Sequence, residues 1–209
     1  MKKILAAVCI MLTAIAGFGQ YFEGKITYQN SYKSKSPQVS DKQLGSMVGT
    51  VQEYYIKGGD YKSVMNGNIV EWQLYVNRDN KLYNKMANSE TLYWVDGDSK
   101  YDSVVSIKLN KNAVEILGYK CDELIVTCRT GSQRYYFSSK LKLDAKLFAN
   151  HKYGNWCDYV KAANAVPLKM IIDSPQVTME SVATEVKPMK LEDTEFQLPA
   201  DAKTEPSPF

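Results

Sequence analysis

The stretch Val51–Val76, with the sequence VQEYYIKGGDYKSVMNGNIVEWQLYV, decides the fold of this chain. Its aromatic and β-branched residues form short runs, and the clusters Gly58-Gly59-Asp60 and Asn66-Gly67-Asn68 separate those runs. Turn residues at such regular spacing are typical of antiparallel hairpins, in which each strand pairs with its neighbour in the sequence. The stretch therefore predicts an antiparallel β-meander.

Alternation within the run from Ile69 to Val76 indicates how one of these strands presents its two faces. Successive side chains of a strand point to opposite sides of the sheet. One side carries the mostly apolar set Val70, Trp72, Leu74 and Val76, and the other carries Glu71, Gln73 and Tyr75. We expect the apolar set to be buried and to line the hollow of the sheet.

The same pattern extends outward in both directions. Strand-like runs occur at 22–28, 92–95, 104–109, 114–128, 133–137, 167–172 and 176–186. Together with the meander they predict about ten strands, and a sheet of that size has to curl, close or be covered. We expect a mainly β (α+β) fold, built on a strongly curved antiparallel sheet or an incomplete barrel.

Two segments break the strand pattern and are predicted as short helices. Ser40 is a suitable N-cap for the first helix, whose apolar residues share one face, and Gly49 ends it. The second helical region runs discontinuously through 144–163 and is interrupted at Gly154. We expect these helices to lie in the concavity of the sheet.

Residues 1–20 have the pattern of an export signal. Two lysines precede an apolar run from Ile4 to Ala16, and that run is shorter than the ~20 residues that a membrane-spanning helix needs. We expect cleavage near Gln20 and a mature protein in the periplasm or outer cell envelope, or secreted. No later run approaches spanning length, so the mature chain is predicted to contain no transmembrane segment.

Composition narrows the function further. The chain is 44% hydrophobic and 23% charged, with a formal net charge of +3 that falls to +1 without the two lysines of the leader. The apolar content argues against a disordered chain. A balance this even provides no basic surface for phosphate backbones, so no nucleic-acid partner is predicted.

The remaining chain is predicted to be one domain with a tail. No linker divides residues 21–198, which lie within the usual size of a single domain. Residues 199–209 contain three prolines among polar residues. We expect them to form an extended, poorly anchored C-terminal end.

Three cysteines follow the leader, Cys121, Cys128 and Cys157, and an oxidising compartment would let two of them pair. If 119–128 is one unbroken strand, Cys121 and Cys128 lie on opposite faces, ~23 Å apart and beyond disulfide reach. Cys157 is then the natural partner of one of them, and we favour Cys121 with Cys157. A turn at Asp122 and Glu123 would reopen the other pairing, and three buried free thiols are the alternative.

A family resemblance rests on five short stretches spread over the mature chain. They are Phe22–Tyr28, Tyr55–Gly59, Ile116–Cys121, Pro167–Met170 and Phe196–Pro199. In their order and spacing they resemble a family of exported bacterial proteins of unknown function, which is similar in architecture to the LolA-like carriers of periplasmic lipoproteins. The resemblance implies a strongly curved antiparallel sheet with short helices in its concavity. It carries over no catalytic residue.

Catalytic chemistry is not predicted. His151 is the only histidine, which argues against multi-histidine metal sites and leaves an acid–base mechanism with one side chain. We expect His151 at the surface or at a helix end. Asp96 and Asp98 flank a glycine at a strand connection, where turn formation explains them better than a cation site. No cofactor and no metal are predicted.

We therefore expect an exported, non-enzymatic binding protein that carries a hydrophobic small molecule, a lipid or a lipoprotein partner. Val70, Trp72, Leu74 and Val76 are the predicted ligand-binding residues. The alternative is a cell-envelope module that contacts a protein or a glycan through exposed aromatic residues and holds no internal ligand. Paired rings such as Tyr54-Tyr55 support it, because adjacent rings on a strand point in opposite directions. The oligomeric state is left open.

Overall fold

The computed structural model describes residues 21–100 and 102–208, so the predicted export signal at 1–20 lies outside the described residues. Twelve strands form the main architecture: β1 Gly24–Ser34, β2 Val51–Lys57, β3 Asp60–Met65, β4 Val70–Val76, β5 Lys81–Met86, β6 Leu92–Asp96, β7 Val104–Ile116, β8 Tyr119–Cys128, β9 Ser132–Lys142, β10 Ala165–Asp173, β11 Val177–Pro188 and β12 Thr204–Pro206. The helices of the described chain are α1 Asp41–Val48 and α2 Trp156–Ala163, with 3₁₀ turns at Ala145–Phe148, Tyr153–Asn155 and Asp193–Phe196.

All twelve strands belong to one sheet, in the order β12-β6-β5-β4-β3-β2-β1-β11-β10-β9-β8-β7. Neighbouring strands run antiparallel, except that β12 is parallel to β6. The meander is confirmed, with Gly58 at a φ of 58° in the β2–β3 turn. The single strand predicted over 114–128 is wrong: Leu117 and Gly118, with φ of 51° and 78°, form a tight turn between β7 and β8.

Chain connectivity requires the sheet to curve. β6 and β7 are consecutive in the chain but ten strand positions apart in the sheet, which would separate them by ~48 Å if the sheet were flat. The connection from Asp96 to Val104 reaches at most ~28 Å when fully extended. The sheet is therefore strongly curved, and it remains unclosed because β7 and β12 stand at its two ends.

The main core fills the concave side. A chain of ring contacts crosses it from Tyr75 on β4 through Tyr61 and Trp156 to Tyr159 on α2 and Tyr135 on β9. Since β4 and β9 are six positions apart in the sheet, contacts between them can form only inside the curve. The concavity is thus an aromatic core rather than an open hollow.

The two helices play different parts in this core. α1 begins at the predicted Ser40 with a complete capping box and ends at Gly49, but none of its residues is buried. α2 buries Tyr159, Val160 and Ala163 against β8, β9 and β10. The interruption predicted at Gly154 is confirmed by its φ of 63°. The buried helical contacts of the main core therefore come from α2.

A second, smaller core lies on the outer face of the sheet. Leu74, Val76 and Tyr83 pack there beneath Leu191 and Phe196, which follow the last long strand. Beyond them the chain continues to β12, which pairs with β6 between Leu92 and Trp94. The end predicted to be poorly anchored is extended but hydrogen-bonded to the sheet. We call residues 189–206 the C-terminal segment.

Candidate binding surfaces

The predicted ligand-binding residues do not line the concave face. β4 alternates as expected, but Tyr75 is its residue in the main core, whereas Leu74 and Val76 belong to the outer core and Trp72 packs against it. Val70 is partly buried and lies beyond a register shift between it and Trp72. The prediction is wrong because alternation separates two faces without indicating which one is concave, and the C-terminal segment supplies an apolar cover for the outer face.

His151 lies inside the main core between two 3₁₀ turns, so the prediction that placed it at the surface is wrong. Its side chain is 1% exposed, and its ring stacks on Tyr75 with centroids 4.0 Å apart. Its Nε2 is hydrogen-bonded to the Tyr61 hydroxyl at 2.7 Å, and Nδ1 has no protein partner among the described residues. Burial lowers the pKa of His151 to about 3. The ring is therefore a neutral part of the aromatic packing.

Exposed apolar side chains concentrate on β7. Of nine large hydrophobic residues exposed in the described chain, four lie on β7 and a fifth, Leu117, lies in the turn that follows it. Ile107 and Leu109 are each 43% exposed and Val114 is 41% exposed. We call Ile107, Leu109 and Val114 the β7 margin.

The β7 margin faces the concave side. Ile107 pairs with Val126, Leu109 with Leu124 and Val114 with Cys121, and all three partners are buried in the main core. Directly paired residues of antiparallel strands share a face. The β7 margin therefore extends the apolar surface of the core to the rim of the sheet.

Within residues 21–100 and 102–208, the backbone of β7 has a free edge, since β7 stands at the end of the strand order. Its ladder with β8 is irregular at two places, between Val104 and Ser106 and between Asn110 and Val114. Asn112 has a φ of 51°, and its backbone N–H donates to the Asp122 carboxylate at 2.9 Å. The stretch 106–110 is the longest regular run of this ladder, and it is the part of β7 best suited to pairing with another strand.

Two grooves open on the outer face beside the C-terminal segment. The larger, about 790 Å³, lies between the Gly58–Gly59 turn and the 3₁₀ turn that contains Asp193. The smaller, about 380 Å³, lies between Trp72 on β4 and residues 199–203. Trp72, predicted to line an internal hollow, thus lines an outer groove.

Cys121, Cys128 and Cys157 are free, and the predicted pair of Cys121 with Cys157 is not formed. Cys121 and Cys128 are both buried in the main core, so the prediction that they lie on opposite faces is also wrong. The buried positions of β8 are 121, 124, 126 and 128, and their alternation shifts after Cys121, opposite the irregular part of β7. The Asn155 amide contacts the sulfur of Cys128 at 3.3 Å.

Sequence reasoning missed the β7 margin, although a signal for it was present. Ile107 and Leu109 alternate with Ser106, Lys108 and Asn110, which is the pattern of a strand with one apolar face. Nothing in that pattern states that the face is left uncovered. Whether this face of β7 is exposed depends on how far α2, which packs on β8, β9 and β10, extends over the concave side of the sheet.

Within the described residues, no group of His, Cys, Asp and Glu side chains has the arrangement of a metal site. The helices of that same part of the chain are all too short or too polar to cross a bilayer.

The chain matches no family model and no curated protein. Among solved structures it is similar to PNGF-II in the P21 space group, with a TM-score of 0.51 and 14% identity over 89% of this chain. PNGF-II in the C2 space group matches with a TM-score of 0.49 and 14% identity over 89% of this chain. The chain spans about a third of the length of these proteins, 32% and 31%. The first similarity shows a shared fold, and the predicted relation to the LolA-like carriers stays a prediction.

Proposed function

We propose that this protein is an exported, non-enzymatic binding module of the cell envelope that docks an extended apolar segment of a partner protein on β7. The concentration of exposed apolar residues on this one strand carries the proposal. Isolated surface hydrophobics are ordinary, but a contiguous apolar patch marks an interaction surface. The β7 margin is such a patch.

An extended segment suits both features of β7. Its backbone would pair with the free N–H and C=O groups of residues 106–110, and alternate apolar side chains would pack on Ile107 and Leu109. Strand addition of this kind obtains affinity from main-chain hydrogen bonds and specificity from alternate side chains.

A hydrophobic small molecule or lipid is the second candidate. The position of the β7 margin on the concave face favours it, because an acyl chain would continue the apolar surface of Leu124 and Val126. The resemblance to lipoprotein carriers points the same way. Such a ligand would use the side chains of the margin and leave the backbone edge unpaired.

Selection of short random peptides on the mature protein, with a fluorescent fatty acid as a parallel probe, tests both candidates. We expect selected peptides with alternating apolar residues whose Kd rises at least about tenfold for the double variant Ile107→Lys, Leu109→Lys. Ile69→Lys is the matched control, because Ile69 is 36% exposed but lies outside β7.

The outcomes separate the two candidates. Fatty-acid binding that the double variant abolishes, without peptide binding, would replace the first candidate with the second. Peptides that bind the double variant as well as the control would overturn the use of β7 for docking.

A further inference from the structure

The smaller outer groove lies on the face of the sheet opposite the β7 margin. One wall is formed by Trp72 on β4 and Lys85 on β5, which are cross-strand partners. The other wall is formed by Pro199, Asp201 and Lys203 of the C-terminal segment. The groove therefore joins the sheet to a part of the chain that is distant in sequence.

Trp72 gives this groove an aromatic wall. The side chain is half-buried, and it packs against the outer core while also lining the groove. The Lys62 ammonium lies 5.7 Å from its ring centroid. An indole fixed in this way offers a rigid apolar surface to a ligand at little cost in side-chain entropy.

Charged groups of both signs line the same groove. Glu90, Asp201 and Lys203 are exposed and form no ion pair among the described residues, so their charges are available to a ligand. The Lys85 ammonium donates to the carbonyl oxygen of Ser89 at 2.5 Å and lies 3.9 Å from the Glu71 carboxylate, with which it pairs. The lining residues carry two carboxylates and two ammonium groups, so their net charge is zero. The groove therefore favours a neutral molecule over an ion.

The larger groove differs in both respects. Its lining residues include no tryptophan, and charged side chains in it already have partners. Lys57 pairs with Asp193 at 2.6 Å, and Arg78 pairs with Asp79 at 3.0 Å. The smaller groove thus has the chemistry for ligand recognition despite its lower volume.

We propose that the groove beside Trp72 binds a neutral carbohydrate. The apolar C–H face of a sugar ring would pack on the indole, while its hydroxyl groups donate to the Glu90 and Asp201 carboxylates and accept from Lys203. The volume of about 380 Å³ lies within the usual range of small-molecule sites, ~300–1,000 Å³. This proposal is independent of docking on β7.

Calorimetric titration of the mature protein with maltohexaose, cellohexaose and chitohexaose tests the site. We expect at least one of these sugars to bind, with a Kd that rises at least about tenfold in the double variant Glu90→Gln, Asp201→Asn. This variant keeps the size of both exposed side chains, so it should fold normally. Trp72→Ala should weaken binding similarly.

Two control variants identify the site. Asp79→Asn changes a carboxylate of the larger groove, and Ile107→Lys with Leu109→Lys changes the β7 margin. Both should bind the sugar as the wild type does. Absence of binding by all three sugars at millimolar concentration, or binding that survives the Glu90 and Asp201 replacements, would overturn the proposal.

Discussion

The two ends of the sheet protect their strand edges against unwanted pairing in different ways. At one end, β6 is covered by the chain itself, because β12 pairs with it and Leu92 is 3% exposed. At the other end, no strand of the described part of the chain lies on the outer side of β7. Its protection comes from irregularities in the ladder with β8 and from Lys108 and Lys111, which are common devices for discouraging unwanted strand pairing.

This difference shows where a partner can act. The end at β6 is occupied by a segment of the same chain, so another strand would have to displace β12 to pair with β6, and β12 itself offers an edge of only three residues. The end at β7 leaves residues 106–110 regular and apolar side chains uncovered. Irregularity limits pairing to a short stretch without abolishing it, and this combination favours selective docking over general aggregation.

Replacement by lysine should reduce the free energy of unfolding much more at the β6 end than at the β7 end. Leu92→Lys places a charge at a buried site and should reduce the free energy of unfolding by about 4 kcal/mol. Ile107→Lys, at a side chain 43% exposed, should change it by less than ~0.5 kcal/mol. Urea denaturation of the two variants measures both values. Equal losses would mean that β7 is covered as fully as β6.

A substitution at Phe196 tests how tightly the C-terminal segment packs on the outer core. Phe196 is 6% exposed and packs with Leu74, Val76 and Tyr83. Phe196→Ala should remove about 3 kcal/mol from the free energy of unfolding, through lost burial and a residual cavity. Met189→Ala is the control, since Met189 begins the same segment but is 40% exposed. A loss below ~1 kcal/mol would show that the C-terminal segment is only loosely packed.

The stability of the folded protein should fall at low pH because of His151, which lies between β9 and α2. Lys152 and Tyr153 donate backbone hydrogen bonds to Gly97, just beyond β6, while α2 packs on β8. The pKa of His151 is lowered to about 3 in the folded protein, so the unfolded chain binds the proton first, near pH ~6.5. Stability supplied by the neutral ring is present above that pH and is lost as pH falls toward 3.

Comparison of the wild type with His151→Phe isolates this titration from that of the carboxylates. The wild type should lose on the order of 3 kcal/mol more than the variant between neutral pH and about pH 4. Phe keeps an aromatic ring for stacking on Tyr75 but does not titrate. Parallel pH profiles for the two proteins would argue against a buried, neutral His151.

Removal of residues 204–209 should have the smallest effect on stability. The three residues of β12 are exposed, so the loss should be about 1 kcal/mol, from the backbone pairing of residues 204–206 with β6. The freed edge of β6 should increase concentration-dependent association, measured by sedimentation velocity. Removal of residues 207–209 alone retains β12 and is the control. Unchanged association after the longer truncation would show that β12 does not protect this end.

Local features of the chain were predictable from local chemistry. The Ser40 cap, the turn at Gly58 and the break at Gly154 depend on residues within a few positions of one another. The two faces of β4 were also correctly separated. The candidate binding surfaces were not predictable, because exposure on β7 and the groove at Trp72 depend on segments that are far away in the sequence.

The sequence by itself determined a mainly β chain of alternating strands with two short helices, because strand alternation, turns and caps are properties of neighbouring residues. Only the tertiary structure decided which face of β4 became the inner one, that His151 became part of the core, and that β12 covered β6 while β7 stayed free. Those outcomes depend on curvature and on contacts between distant segments. A pattern with a period of two residues specifies two sides of a strand, and the packing of the whole chain assigns each side its neighbour.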